Sequence, residues 1–165
     1  MTMLRREESE GVSYLDLAQF LLTDGSRNFI KQDLEQLFRR VVFNIAVGNR
    51  DDHLRNHGFL LTKDGWRLSP AFDINPNMEK SAHVLNIDDR DNRPSLENAL
   101  ATAELYELTE DRAIEVAKEV VVAVSPWRSA AKEFHIANVD IHAMGTVFLS
   151  DEMEYLLTRY RLAPN

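Results

Sequence analysis

Two short polar stretches concentrate the side chains that could do chemistry. They are Asn49-Arg50-Asp51-Asp52-His53-Leu54-Arg55-Asn56 and Ser69-Pro70-Ala71-Phe72-Asp73. Phosphoryl transfer needs such a set. One carboxylate orients the attacking hydroxyl and takes its proton, while an amide oxygen and a second carboxylate hold magnesium against the nucleotide phosphates. Magnesium prefers oxygen ligands and keeps several waters, so two protein ligands suffice. Between the two stretches, Phe59–Leu61 and Trp66–Leu68 flank Lys63-Asp64-Gly65, a hairpin signal. A hairpin returns the chain to its start, so Asp73 is expected to come back beside Asp51 and Asn56.

The order also fits a protein-kinase site, in which a base Asp is followed five residues later by an Asn and then by a metal-binding Asp beyond a hairpin. Asp51 and Asn56 have that spacing, and Asp73 follows the hairpin. Asp52, taken alone, reads as a solvated neighbour. His53 beside Asp52 could start an HD-type metal hydrolase site, but that chemistry wants further ligands at helical spacing, and His57 falls in a loop. His83, His135 and His142 are isolated and read as surface or satisfied core residues. Arg50 and Arg55 could touch phosphates or pair with flanking acids. Trp66 and Phe72 read as packing residues.

The elements that must position these loops are mostly helical. Residues 1–12 are polar and read as a loose start, with 13–165 as a single lobe carrying the catalytic and metal loops at 48–77. Ser13 and Asp16 begin a short amphipathic helix that ends at Asp24-Gly25. Ile30, Leu34, Leu37, Phe38, Val41 and Ile45 recur at helical spacing, and Gly48-Asn49 stops that helix. Val84–Ile87 suggests a short strand and Asp88–Pro94 a charged turn. Ser95 caps a helix through Leu105, Thr109 caps one through about Val124, and Pro126 opens a third. One or two more are expected between Asp140 and Leu162. The fold class is mainly α with a small β-hairpin insert.

Composition narrows the setting. The hydrophobic fraction is 44% and the charged fraction 28%, ordinary for a globular domain. The net charge of −8 and a pI near 5.1 repel phosphate backbones, so direct nucleic-acid binding is not expected. The chain has no cysteine, which excludes disulfides and thiolate metal sites and suits a reducing cytoplasm. No apolar run approaches a membrane span, and the charged N-terminus MTMLRREESEG is no signal peptide.

Gly48-Asn49-Arg50-Asp51-Asp52-His53-Leu54-Arg55-Asn56 followed by Leu68-Ser69-Pro70-Ala71-Phe72-Asp73-Ile74 resembles the C-terminal kinase lobe of HipA-type serine/threonine kinases. These are the toxin halves of bacterial toxin–antitoxin pairs. The family pattern is D-x-H-x-x-N, a short hairpin, then S/A-P-A-Y/F-D. The resemblance runs from about Phe29 to Tyr160 and is specific over residues 44–77. It implies a protein-kinase-like lobe with Asp51 as the catalytic carboxylate, Asn56 and Asp73 as magnesium ligands, and His53 shaping the loop, with Asp52 at the variable position. Arg55 is carried as a supporting residue. The implied co-substrate is ATP, the implied substrate a protein hydroxyl, and the implied partner a helix-turn-helix antitoxin. Arg50 stands where the family often has Thr or Ser, and Asp88-Asp89-Arg90 where it often has a Gly-rich turn.

A complete kinase also needs a loop that covers the nucleotide and a lysine on its phosphates. The six glycines, at 11, 25, 48, 58, 65 and 145, form no such loop. The nucleotide lobe is therefore expected to be missing from this chain, or supplied by a separate one, leaving little or no phosphotransfer by the chain alone. A non-catalytic module that binds an antitoxin or regulator is the alternative reading. A phosphatidylinositol-kinase-like fragment is a further one, weakened because residues 74–94 lack a basic, lipid-facing character.

Overall fold

The computed structural model describes residues 11–148 and 158–159. The described residues are mostly helical with one antiparallel β-hairpin. Helix α1 (Tyr14–Asp24) starts on the expected cap: Ser13 Oγ accepts from Leu15 N at 3.0 Å, and Asp16 Oδ2 accepts from Ser13 N at 2.9 Å. This reciprocal capping box satisfies donors that a helix start otherwise leaves bare. Helix α2 (Ile30–Val47) is the central element and ends at Gly48, whose φ of 66° and ψ of 32° give the left-handed turn that closes many helices. Its apolar face packs on α1 and on α4 (Glu110–Val124), with Leu34, Leu37, Phe38, Val41 and Val42 fully enclosed.

Strands β1 (Phe59–Thr62) and β2 (Gly65–Leu68) pair from Phe59 with Leu68 to Thr62 with Gly65. The hairpin is fixed to the helices by Asp33 of α2. Its carboxylate accepts from Arg67 Nε at 2.7 Å, Arg67 Nη2 at 3.0 Å and Leu68 N at 3.1 Å. A bidentate arginine pair of this kind fixes orientation as well as distance. Two single-residue parallel bridges tie the ends of α1: Ser13 to Asn86 and Gly25 to Trp66.

Two expectations need correction. Val84–Ile87 is no strand; only Asn86 makes a bridge, because the segment is drawn into a reversal in which His83 N bonds Asn92 O at 2.8 Å and Ile87 N bonds Asp91 O at 2.7 Å. The helix capped by Ser95 does not reach Leu105. Helix α3 (Leu96–Ala101) stops where Thr102 turns its hydroxyl back onto Ala99 O at 2.8 Å, and a 3-10 turn over Ala103–Tyr106 follows. Helices α4, α5 (Trp127–Glu133) and α6 (Asn138–Met144) complete the described part. Residues 1–10 of the polar start lie outside the described residues; Val12, at the end of that segment, is fully buried. The expected helices beyond α6 fall largely in 149–157 and 160–165, also outside them. No helix among the described residues is long and apolar enough to cross a membrane.

Candidate active site

The loop that follows Gly48 is divided by burial. Asp52 is 3% exposed, while its neighbour Asp51 lies open to solvent. The buried carboxylate gathers donors from three elements on one oxygen, Oδ2. The Tyr14 hydroxyl of α1 donates at 2.7 Å, Asn44 Nδ2 of α2 donates at 2.7 Å, and His57 Nε2 lies at 2.9 Å. A carboxylate only accepts, so the His57 proton facing it sits on Nε2. Asn49 Nδ2 extends the network to Asn44 Oδ1 at 3.1 Å. Asp52 is therefore not a solvated acid, as its position in a polar loop suggests, but the hub that binds the loop to two helices.

The electrostatics follow from this geometry. Burial alone would raise the Asp52 carboxyl, but the bond and charge of His57, the Tyr14 hydroxyl and the nearby His83 outweigh it, and its pKa lies below the ordinary Asp value. The Tyr14 hydroxyl is pushed well up by its burial and then by the Asp52 charge. His83 is buried, and its ring makes no well-formed hydrogen bond among the described residues beyond its approach to the Asn49 backbone. Burial pushes its pKa down to about 4, against the pull of Asp52 and with the help of Arg50.

The remaining site residues lie on the outer side. Asp51 forms an ion pair with Lys80. His53 closes the 3-10 turn Leu54–Asn56 by accepting Asn56 N on its carbonyl at 2.8 Å, and its Nδ1 is buried without a partner among the described residues. Arg55 is exposed. Asn56 is buried, and no hydrogen bond to a described residue engages its carboxamide. Asp73 is exposed with a left-handed φ of 55°, and its Oδ1 accepts from Asn75 Nδ2 at 2.9 Å. An unengaged amide oxygen and an open carboxylate are the donor types that magnesium takes. The described residues hold no cluster of three or more His, Asp or Glu suited to a metal.

The hairpin returns the second stretch onto the first. Ser69 N bonds Gly58 O at 2.9 Å, Asn77 N bonds Gly48 O at 2.9 Å, and Arg50 Nη1 bonds Lys80 O at 2.6 Å. A Cβ on Gly58 would lie 2.8 Å from Ser69 Oγ and 3.5 Å from the Phe72 ring, so the loops meet closely there. Arg40 of α2 also donates to the Ser69 carbonyl. No hydrogen bond or ion pair among the described residues joins Asp73 directly to Asp51 or Asn56. Asp33, Tyr14 and Asn44 were not legible as site supports. Their partners lie 35, 38 and 8 residues away, beyond any local spacing rule.

A family model described as HipA-like C-terminal domain matches residues 1–127. A Haemophilus influenzae protein named "Putative kinase" is 32% identical over 69 residues, which cover 41% of this chain and 20% of that protein. The fold is similar to a chain in the complex of the Shewanella oneidensis MR-1 toxin–antitoxin system proteins HipA and HipB with operator DNA. There the TM-score is 0.58 at 18% identity, covering 91% of this chain and 33% of that one. The present chain thus spans a fifth to a third of the length of these relatives. With three quarters of its residues under one family model, the chain belongs to the HipA-like C-terminal domain family.

Proposed function

We propose that the chain is the kinase-like lobe that holds the magnesium and acceptor side of a serine/threonine protein kinase site. Asp51 orients the acceptor hydroxyl and takes its proton as that oxygen receives the γ-phosphoryl group and ADP leaves. Asn56 and Asp73 would hold magnesium, which when bound neutralises charge on the phosphates. The observation that carries this reading is the return of residues 69–80 onto residues 48–58, through Asn77 to Gly48 and Arg50 to Lys80. Asp52, held inward, turns its neighbour Asp51 outward to the side where Lys80 lies. The Lys80 ammonium must move aside before Asp51 receives a proton.

These 165 residues contain no Gly-rich phosphate loop. In this reading the nucleotide is gripped by residues outside them, on the same polypeptide or on another. A helix-turn-helix antitoxin-type partner and a cytoplasmic setting belong to the same proposal, with the HipA–HipB–DNA complex of the structural relative in support.

Titration with manganese as a spectroscopic stand-in for magnesium tests the site. Saturable binding is expected, weakened about tenfold or more by Asp73→Asn or Asn56→Ala, in line with a lost charged contact. With labelled ATP, magnesium and a generic acceptor, the 165-residue chain is expected to show little transfer. Activity that appears on adding a nucleotide lobe should vanish in Asp51→Asn. Metal binding indifferent to both ligand variants would overturn the ligand assignment. Transfer indifferent to Asp51→Asn would overturn the catalytic one.

A further inference from the structure

A groove with a polar rim lies on α5 and α6, away from the candidate active site. Its volume is about 410 Å3. Arg128 and Lys132 of α5, Asn138 and His142 of α6, and Thr146 surround it over the buried Ile141. Arg128 and Lys132 are four residues apart, so they share one helix face.

Arg128 is held in place. Its guanidinium carbon sits 4.5 Å from the centre of the Trp127 ring, and Trp127 in turn stacks on Phe148 at 4.5 Å and 25°. One guanidinium nitrogen lies 3.0 Å from the point where Gly145 would carry a Cβ, so the group occupies space that any other residue would fill. A guanidinium stacked on an aromatic face keeps its in-plane N–H groups free to make a two-pronged contact. Arg39, Arg67 and Arg112 spend theirs on carboxylates. Neither Arg128 nor Lys132 has an ion-pair partner among the described residues. In a chain with 27 acidic against 19 basic side chains, two cations on one groove wall with no carboxylate among its lining residues form a local positive site.

We propose that this groove binds a phosphate group. A phosphate dianion has the charge to meet both cations and enough oxygens to accept from the Arg128 fork, the Lys132 ammonium and the Asn138 amide together. A single carboxylate matches the Arg128 fork but leaves Lys132 uncompensated. A nucleic-acid backbone needs a basic track, whereas Glu133 and Asp140 flank these residues and the chain carries −8. The phosphate has two possible sources, a free phosphorylated small molecule or a phosphorylated side chain.

The test is a titration of the full chain, followed by amide and side-chain NMR, with chloride at equal ionic strength as the reference. The probes are inorganic phosphate, a phosphoserine peptide with its unphosphorylated control, and a short DNA duplex. Saturable phosphate binding at about millimolar or tighter is expected, with shifts centred on residues 128–146. Arg128→Gln should weaken it about tenfold or more, and Lys132→Gln should weaken it too. Tighter binding of the phosphopeptide than of free phosphate assigns the side-chain source; the reverse order assigns the small molecule. The proposal falls if phosphate shows no saturation beyond chloride, if both variants bind as the parent does, or if only the duplex binds through these residues.

Discussion

At Asp52, three donors converge on one buried oxygen; without the carboxylate the Tyr14 and His57 protons would lose their acceptor, while Asn44 would keep the Tyr14 oxygen. Asp52→Ala is therefore expected to destabilise the fold by about 3–5 kcal/mol, the range for breaking a buried charged network. Tyr14→Phe deletes one donor and should cost about 2 kcal/mol. Urea unfolding of both single variants and the double variant measures this, and additive effects would show that the two groups are not coupled. His83 adds a pH dependence. Its folded pKa of about 4 lies below the ordinary value of 6.5, so between those values the unfolded chain binds the extra proton. Stability then falls as pH drops from about 6.5 to 4, by up to about 3 kcal/mol. The depressed Asp52 carboxyl contributes stability that is complete above the ordinary Asp pKa and is lost at still lower pH. His83→Leu should flatten the first slope, as read by denaturation at pH 7, 5.5 and 4.5; an unchanged slope would mean that His83 does not set it. The sequence named the loop and its spacing but misjudged Asp52 and the environment of His83. Burial depends on Tyr14 and Asn44, which nothing in the local pattern links to residues 49–57.

Elements were easier to read than contacts. The capping box at Ser13, the apolar period of α2, its stop at Gly48 and the hairpin around Gly65 are local rules, and the structure follows each one. The break after Ala101 was hidden because Thr102 ends α3 through a bond to its own chain, which propensity alone does not distinguish from continuation. Gly48 shows both sides. Its left-handed turn was legible; its second constraint was not. A Cβ there would meet Val147 Cγ1 at 2.7 Å and Val147 Cβ at 2.9 Å, a contact with a residue 99 positions later. Gly48→Ala is expected to cost more than the roughly 1 kcal/mol of the backbone term alone. Adding Val147→Ala should recover part of the excess, whereas a cycle with no recovery would mean that Val147 does not press on this glycine. Because Gly48 O accepts from Asn77 N, the same substitution should also disturb the loop that follows Asp73.

Across the whole molecule, the order of helices and the hairpin insert were recoverable from periodicity and turn residues, while the ties between distant loops were not. Those ties are what the candidate site depends on. Asp33 fixes the hairpin to α2, and an ionic fan in which Arg112 bonds Glu35, Glu115 and Glu119 while Arg39 bonds Glu35 and Glu119 joins α2 to α4. The fan is half-buried at Glu35, Arg39 and Arg112 and open at Glu115 and Glu119, so salt should weaken its outer pairs more than the two-pronged Arg112–Glu35 contact. Helix α1 is different in kind. One end is bridged to Asn86 and the other to Trp66, and Tyr14 in its first turn reaches Asp52. Eleven residues at about 1.5 Å each make it a gauge block of about 16 Å between the hairpin and the 83–92 reversal. Its outer face can therefore change in composition, but its length cannot change. One inserted residue between Leu15 and Thr23 would turn Tyr14 by about 100° relative to Gly25, so that no single setting of the helix could serve both bridges and the carboxylate at once.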